Sequence, residues 1–342
     1  MGTNRRDFIV GTAAVGATLP LAGASATSGS HALAHPEGKV FESMPGAYSA
    51  MYTPFFRDGA RAGELNEEMI EKLVEYAVRK GLRGLYLTGS TGEGFLLSTE
   101  ERKRVYARVA RASKDRLKLI AHVGCIRTDE ACELARYAAK VGIDWVSSVA
   151  PVYFGQNFAA ALDHYKTISE ATDLPFMVYS VLGKLVPDQA ARFFDLRNVH
   201  GMKYTGRDYF ELGALRRKIS KPAIFFAGCD EQELNAFATG EFAGMIGTTD
   251  NQMPAQHAAI WRLANEGRFV EARKYQEEVC RFVELLCSDS NGSTHKSVMR
   301  YLGLDCGNGR QPGGRPLSAG EYDAYMAKVA ALGFLRENDA NL

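Results

Sequence analysis

The stretch from residue 176 to residue 203 decides the fold of this chain. It opens with the apolar run Phe176-Met-Val-Tyr179 and closes with Val199-His-Gly-Met-Lys203, and residues 187–194 between them have a helical pattern. Apolar runs without polar alternation are typical of strands that are buried on both faces. Two such strands joined by a helix are predicted to lie parallel in one sheet.

The same strand–helix unit occurs eight times along the chain, which predicts an α/β fold, a (β/α)8 TIM barrel over residues 44–266. The predicted strands are residues 47–52, 84–87, 117–123, 145–149, 176–179, 199–203, 223–227 and 244–246. The predicted helices are residues 66–80, 99–112, 129–140, 158–170, 187–194, 209–218, 231–239 and 254–265. The alternative is an open Rossmann-like sheet, which is disfavoured because no GxGxxG motif follows the first strand.

The two ends of the chain depart from this pattern. Residues 268–288, 294–302 and 319–335 are helical in pattern, so residues 267–342 are predicted to form a C-terminal helical domain. At the other end, Asn4-Arg-Arg-Asp-Phe-Ile9 precedes a mildly apolar stretch with small-residue cleavage sites at Ala24-Ser-Ala26 and Ala32-Leu-Ala34. This pattern resembles a twin-arginine export signal. We therefore expect residues 1–34 to be an export signal and disordered leader, and the mature protein to be periplasmic or otherwise extracytoplasmic.

Composition and charge exclude several classes of function. Basic residues number 41 and acidic residues 40, so the net charge of +1 gives no electrostatic footprint for nucleic acid. The apolar stretch near the amino terminus is too short and too rich in glycine for a stable membrane span. The seven histidines have neither HxH nor HExxH spacing and the six cysteines form no CxxC pair. This predicts no metal site and disfavours a metal-dependent aldolase.

Lys203 is the strongest candidate for a catalytic residue. It ends a predicted strand, and the carboxyl ends of barrel strands converge on a single active site. The interior of a barrel disfavours an ammonium ion, which favours the neutral, nucleophilic amine. Such an amine can form a Schiff base with a ketone. Tyr179 ends the preceding strand, so its phenol is expected to lie beside Lys203 and to transfer protons.

The turn Gly89-Ser-Thr-Gly-Glu93 follows the second predicted strand. Backbone N–H groups of a glycine-rich turn bind anions, and the Ser90 and Thr91 hydroxyls add further donors. A phosphate-binding Walker loop would need Lys-Ser or Lys-Thr after the second glycine, and this pair is absent. The turn therefore predicts a carboxylate site.

These residues carry a resemblance to a known family. The stretch Gly84-Leu-Tyr-Leu-Thr-Gly-Ser-Thr-Gly-Glu-Gly94, followed by Glu101, is similar to the first motif of the dihydrodipicolinate synthase/N-acetylneuraminate lyase superfamily. The stretches Lys118-Leu-Ile-Ala-His-Val-Gly-Cys125, Asp163-His-Tyr165 and Gly228-Cys-Asp-Glu231 resemble the lyase branch most. The resemblance runs over residues 48–335.

The resemblance implies a role for each matching residue. Lys203 would form an imine with pyruvate, Tyr179 would shuttle a proton, and Ser90 with Thr91 would bind the pyruvate carboxylate. Tyr153 falls where the family places a catalytic-site tyrosine that reaches the active site of a neighbouring subunit in a tetramer. The sugar chain would contact Thr205, Gly228, Asp230, Glu231, Gly247 and Thr248. The implied enzyme has no cofactor other than the covalent lysine imine, and its partners are a 2-keto acid, an aldehyde and further copies of the chain.

Two departures from the family pattern keep alternatives open. Tyr179-Ser-Val-Leu182 lacks the proline that the family usually has, and Lys184 stands where the synthase branch has an arginine. A lyase that cleaves a 2-keto acid sugar is therefore favoured over a dihydrodipicolinate synthase-like enzyme or a 2-keto-3-deoxy sugar acid aldolase. A third hypothesis is a non-catalytic exported barrel that binds keto acids. The presence of both Lys203 and Tyr179 argues against it, since binding alone needs neither group.

Overall fold

The computed structural model describes residues 38–153, 157–180 and 185–340. The expected export signal and leader over residues 1–34 lie outside the described residues, and so does Lys184.

Eight parallel strands form a closed barrel in which each strand pairs with the next in sequence and the eighth pairs with the first. The strands are β1 (Gly46–Ala50), β2 (Gly84–Leu87), β3 (Lys118–His122), β4 (Trp145–Val149), β5 (Phe176–Ser180), β6 (Val199–Tyr204), β7 (Ile224–Ala227) and β8 (Gly244–Gly247). The (β/α)8 barrel is confirmed, and the open-sheet alternative is wrong. Because a closed parallel barrel surrounded by helices buries both faces of every strand, the strands are apolar runs rather than alternating ones.

A helix follows each strand. These helices are α1 (Glu67–Arg79), α2 (Thr99–Ser113), α3 (Thr128–Lys140), α4 (Phe158–Glu170), α5 (Pro187–Phe193), α6 (Tyr209–Arg216), α7 (Glu233–Ala238) and α8 (Pro254–Asn265). Local signals set several starts. Ser98 and Glu101 form a reciprocal capping box before α2, and the Asn66 side chain accepts a hydrogen bond from the first turn of α1. Helix α7 begins two residues later than predicted because Asp230–Gln232 form a separate 3₁₀ turn.

The barrel interior is lined mainly by large side chains, including several aromatic ones. Tyr48, Tyr86, Trp145, Tyr179 and Phe226 belong to one buried cluster inside the barrel. The same cluster includes Phe41 and Met44, which precede β1. The Phe41 ring centroid lies 6.4 Å from that of Trp145, and the Tyr48 hydroxyl donates to the Met44 carbonyl at 2.6 Å. These contacts fill the interior near the amino ends of the strands, so a site can open only at the carboxyl ends.

Three helices follow the barrel: α9 (Phe269–Cys287), α10 (Gly292–Tyr301) and α11 (Ala319–Ala331). A C-terminal helical region is therefore present. Its treatment as a separate domain beginning at residue 267 stays a prediction. Among the described residues, no helix is both long enough and apolar enough to cross a membrane.

Candidate active site

Lys203 lies on β6 opposite Tyr179 of β5 in the sheet register. Its side chain is 5% exposed, and its Nζ lies 4.5 Å from the centroid of the Tyr179 ring and 4.8 Å from that of Tyr86. Among the residues that the structure describes, no carboxylate lies within ion-pair distance of this nitrogen. An amine held against two aromatic rings without a counter-ion is poised to react with an electrophile rather than to stabilise a salt bridge.

Tyr86 packs beside Tyr179, and the two rings form an aromatic wall next to Lys203. Its hydroxyl donates to Ser147 Oγ at 3.0 Å, and its ring meets the Tyr179 ring edge to face with centroids 5.9 Å apart. Burial raises the pKa of Tyr86 well above its ordinary value, so this phenol stays neutral. Sequence reasoning missed Tyr86. Its position on a buried strand just before the Gly89–Glu93 turn is the signal that could have indicated it.

His122, at the end of β3, is the third ring of the wall and was also missed. Its ring centroid lies 6.0 Å from that of Tyr179. Nδ1–H donates to the Thr88 carbonyl at 3.1 Å, and Nε2 accepts from the Val149 N–H at 3.4 Å. Burial, assisted by the charge of Arg102, lowers the pKa of His122 well below its ordinary value. The imidazole is therefore neutral, and it adds no charge beside the lysine.

Thr205 and Gly228 shape the space next to Lys203. The Thr205 hydroxyl is buried without a hydrogen-bond partner among the described residues. A Cβ on Gly228 would lie 2.2 Å from this hydroxyl oxygen and 3.1 Å from Lys203 Cε. A side chain at position 228 would thus fill the space beside the amine, and the unpaired hydroxyl is available to a bound molecule because a buried polar group without a partner is costly.

The Gly89–Glu93 turn is held in place from the C-terminal region. Glu93 has a left-handed backbone, with φ of 56°. Its carboxylate accepts from Lys296 Nζ of α10 at 2.5 Å and from the Arg310 N–H at 2.6 Å. Lys296 also donates to the Thr53 carbonyl at 2.7 Å. The predicted anion-binding turn is therefore pinned by a buried ion pair that sequence reasoning did not find.

The turn also contacts the opposite side of the barrel mouth. The Thr91 and Thr248 hydroxyl oxygens are 2.7 Å apart and share a hydrogen bond. Ser90 is exposed beside them. The carboxylate-binding residues and one of the sugar-binding residues implied by the resemblance are thus neighbours.

The acidic residues after β7 differ in their surroundings. Asp230 Oδ2 accepts from both the N–H and the hydroxyl of Thr249, at 2.7 Å each, whereas Oδ1 accepts no hydrogen bond from the described residues. Glu231 forms an ion pair with the exposed Arg207 at 2.6 Å. A Cβ on Gly247 would lie 2.6 Å from Asp230 Oδ1. The Asp230 carboxylate is therefore held rigidly with one oxygen available.

One cavity of about 1100 Å³ joins most of these residues at the carboxyl ends of the strands. The sequence-predicted residues that line it are Ser90, Thr91, Thr205, Gly228, Asp230, Glu231 and Thr248. Lys203 and Gly247 lie directly behind Gly228 and Asp230, respectively, and Tyr179 is next to Lys203. Tyr153 is 76% exposed and does not line this cavity.

The C-terminal helices supply part of the cavity wall, which sequence reasoning missed. Val283, Leu286 and Cys287 of α9 and His295 of α10 line it. These residues are distant in sequence from the barrel motifs and carry no motif of their own. Among the described residues, no three His, Cys, Asp or Glu side chains are placed to hold a metal ion.

The barrel, the buried lysine and its neighbouring phenol define the class of protein: a class I carbon–carbon lyase that forms a lysine Schiff base and releases pyruvate. The model of the dihydrodipicolinate synthetase family matches residues 43–332, and the chain belongs to this family.

Similar proteins come from two branches of the family. The N-acetylneuraminate lyase of Fusobacterium nucleatum is 34% identical over 274 residues, which cover 79% of this chain and 92% of the relative. The crystal structure of N-acetylneuraminate lyase from Fusobacterium nucleatum has a TM-score of 0.77 at 31% identity and covers 85% of this chain and 99% of that one. A dihydrodipicolinate synthase of Bacillus anthracis also has a TM-score of 0.77, at 25% identity, and covers 86% of this chain and 99% of that one.

Proposed function

We propose that the protein cleaves N-acetylneuraminate, or a 2-keto acid sugar closely related to it, into pyruvate and an aldehyde. The observation that carries this proposal is the Lys203 amine, which is buried against Tyr179 and Tyr86 and has no counter-ion in the part of the chain that the structure describes. The similarity to N-acetylneuraminate lyases supports the choice of substrate.

The reaction begins at Lys203. The Lys203 amine attacks the C2 carbonyl of the keto acid. The Tyr179 phenol then gives its proton to the departing hydroxyl, and loss of water leaves a protonated imine and a Tyr179 phenolate. The substrate carboxylate is bound by the donors of the turn at Ser90 and Thr91, and the Thr205 hydroxyl, which has no partner among the described residues, is available to the sugar chain. A carboxylate bound at this turn fixes the orientation of the keto acid in the cavity, which allows C2 to face Nζ.

Carbon–carbon cleavage follows at the bond between C3 and C4. The Tyr179 phenolate removes the proton of the C4 hydroxyl, the C4 oxygen becomes the aldehyde, and the electron pair of the broken bond passes into the imine to give an enamine. The Tyr179 phenol formed in this step protonates the enamine at C3. Water then hydrolyses the imine, which releases pyruvate and the free amine and returns a proton to Tyr179. The neutral wall of Tyr86 and His122 keeps other charges away from this step.

The far end of the cavity suits a polyol. Asp230 presents a carboxylate oxygen that accepts no hydrogen bond from the described residues, and Thr248 presents a hydroxyl. Carboxylate oxygens accept hydrogen bonds from sugar hydroxyls but repel a second carboxylate. This feature favours a sugar over the semialdehyde acid that a dihydrodipicolinate synthase-like enzyme would use.

Borohydride trapping tests the proposal. Reduction in the presence of pyruvate should add its mass irreversibly to the peptide that contains Lys203. Lys203→Ala should abolish both trapping and turnover. Lys221→Ala is the matched control. Lys221, which precedes β7, is partly buried, but it donates to the Leu196 carbonyl and does not line the cavity. No adduct, or an adduct on another lysine, would refute the mechanism.

A panel of aldehydes separates the remaining candidates. Condensation of pyruvate with N-acetylmannosamine supports the proposed substrate. Preference for an aspartate semialdehyde or for a smaller sugar aldehyde would instead support the synthase-like enzyme or the 2-keto-3-deoxy sugar acid aldolase. An adduct without turnover on any aldehyde would favour the keto-acid-binding barrel.

We also propose that the protein is exported through its twin-arginine-like segment. The support is the sequence pattern around Arg5 and Arg6. Replacing both arginines with lysine should retain a reporter fusion inside the cell. Equal export after that change would contradict the proposal.

We propose further that Tyr153 contributes to an oligomer, in line with the tetramers of the family. Its 76% exposure after β4 leaves its ring accessible to a neighbouring subunit. Sedimentation should show an assembly larger than one chain. A monomer with full activity would remove this role from Tyr153.

A further inference from the structure

A buried cluster of ionisable side chains lies beneath the polyol end of the cavity, and the reaction described above does not use it. Glu233, Asp250 and His257 are fully buried, and Asp230 is 7% exposed. His257 Nδ1 lies 2.6 Å from Glu233 Oε2 and 3.8 Å from Asp250 Oδ2. His257 Nε2 lies 2.9 Å from the Thr249 hydroxyl.

The protonation state of His257 sets which groups donate and which accept in this cluster. Burial alone would lower the pKa of His257, but the carboxylates of Asp250 and Glu233, with a smaller contribution from Asp230, outweigh it and raise the pKa to about 10. The imidazolium therefore donates from Nδ1 to Glu233 and from Nε2 to the Thr249 hydroxyl. That hydroxyl then has its proton free for Asp230 Oδ2, to which it donates at 2.7 Å.

We propose that His257, acting through Thr249, is a positioning residue that orients Asp230 to accept hydrogen bonds from the polyol of the substrate. Thr249 occupies Oδ2 with two hydrogen bonds, so Oδ1 is the oxygen left for the substrate. The inference rests on the proposed function, because it needs a hydroxyl-bearing substrate at this end of the cavity.

Gly247 makes room for this arrangement. A Cβ there would lie 2.6 Å from Asp230 Oδ1 and 2.4 Å from Asp250 Oδ2, so either carboxyl group would have to move. The side-chain amide of Gln276, in α9, donates to the Asp230 main-chain carbonyl at 3.0 Å and accepts from the Leu234 N–H at 2.7 Å. The main chain and the carboxylate of Asp230 are thus both fixed from behind.

Stability alone does not account for the cluster. Glu233 Oε1 and both oxygens of Asp250 are buried without a hydrogen-bond partner among the described residues. Buried ionic groups are costly, and apolar side chains of similar volume often stabilise a protein as well or better. The Thr249 hydroxyl connects this cluster to the Asp230 carboxylate, which faces the substrate. A role in orienting that carboxylate explains why the protein keeps a cluster that is costly to bury.

The test compares two threonine variants with the wild type. Thr249→Val removes the hydroxyl and keeps the shape, so Asp230 loses one hydrogen bond. We expect KM for the 2-keto acid sugar to rise about tenfold to a hundredfold, as for loss of a hydrogen bond to a charged group. Thr249→Ser should restore KM. The rate of pyruvate trapping by borohydride should not change, because pyruvate does not reach Asp230.

Controls keep the two proposals distinguishable. Thr239→Val is the matched control, since among the described residues the Thr239 hydroxyl forms its hydrogen bonds with the backbone of Ala236 and Glu241. If Thr249→Val still traps pyruvate and its KM for the 2-keto acid sugar is unchanged, the positioning role is overturned and the proposed function stays intact. Failure of the wild type to trap pyruvate would instead refute the proposed function.

Should Thr249→Val not fold, ¹⁵N-histidine NMR of the wild type at pH 8.5 must show one imidazolium that is missing in His257→Gln. Its absence from the wild type would overturn the inference.

Discussion

Lys296→Met should damage the active site from a distance, because Lys296 holds the turn that binds the substrate carboxylate. The Lys296 side chain is 1% exposed and that of its partner Glu93 is 13% exposed, so their ion pair at 2.5 Å is largely shielded from water. Removing one partner of a buried pair typically costs about 3–5 kcal/mol, because the other charge is left uncompensated. Glu93 keeps the Arg310 N–H at 2.6 Å, which places the expected loss near the lower end of that range.

The loss should appear in both stability and catalysis. Denaturant unfolding monitored by circular dichroism should report a free energy of unfolding lower by about 3 kcal/mol. KM for the 2-keto acid substrate should rise, since Ser90 and Thr91 belong to the Gly89–Glu93 turn, which loses its contact with Lys296. The double variant Lys296→Met/Glu93→Gln removes both charges and should recover much of the stability, which a double-mutant cycle measures directly. Lys72→Met, at an exposed position of α1, is the control.

A change in stability below about 1 kcal/mol, with unaltered kinetics, would refute this reasoning. It would mean that the ion pair is loosely formed and that Glu93 adopts its left-handed backbone without help from α10.

Three further predictions follow from the geometry. Gly228→Ala should lower kcat strongly and destabilise the protein by about 1–3 kcal/mol, because its Cβ would overlap the Thr205 hydroxyl; activity and denaturant assays check this. His257→Gln should destabilise the protein, and more at pH 6 than at pH 10: the neighbouring carboxylates raise the pKa of His257 to about 10, so the stability that the imidazolium contributes is full below the unfolded pKa and is lost as pH rises through the folded one. Equal effects at both pH values in unfolding curves would contradict this. Arg207→Ala should change stability by less than about 1 kcal/mol, since the pair that it forms with Glu231 is largely exposed; a larger loss would show an unrecognised contact.

Particular residues show how far sequence reasoning reached into the site. Lys203 and Tyr179 were predicted to be neighbours because each ends an apolar run, and the register places them opposite each other. The hydroxyl-rich turn was also visible, because its glycines and hydroxyls are contiguous in sequence. His122 and Tyr86 were missed because a tyrosine or histidine on a buried strand looks the same whether it packs in the core or faces a reactive amine.

The sequence by itself determined the barrel and the location of its chemistry. Eight apolar runs separated by amphipathic stretches can be buried only by a parallel sheet covered with helices, and parallel strands bring their carboxyl ends together. Only the tertiary structure decided which charges meet there. Glu93 with Lys296, and Asp230 with His257, are far apart in sequence, and a side chain carries no local signal of the partner that compensates its buried charge. Such partners are set by packing between elements, because the low dielectric of the interior makes each buried charge depend on whatever group the fold places beside it.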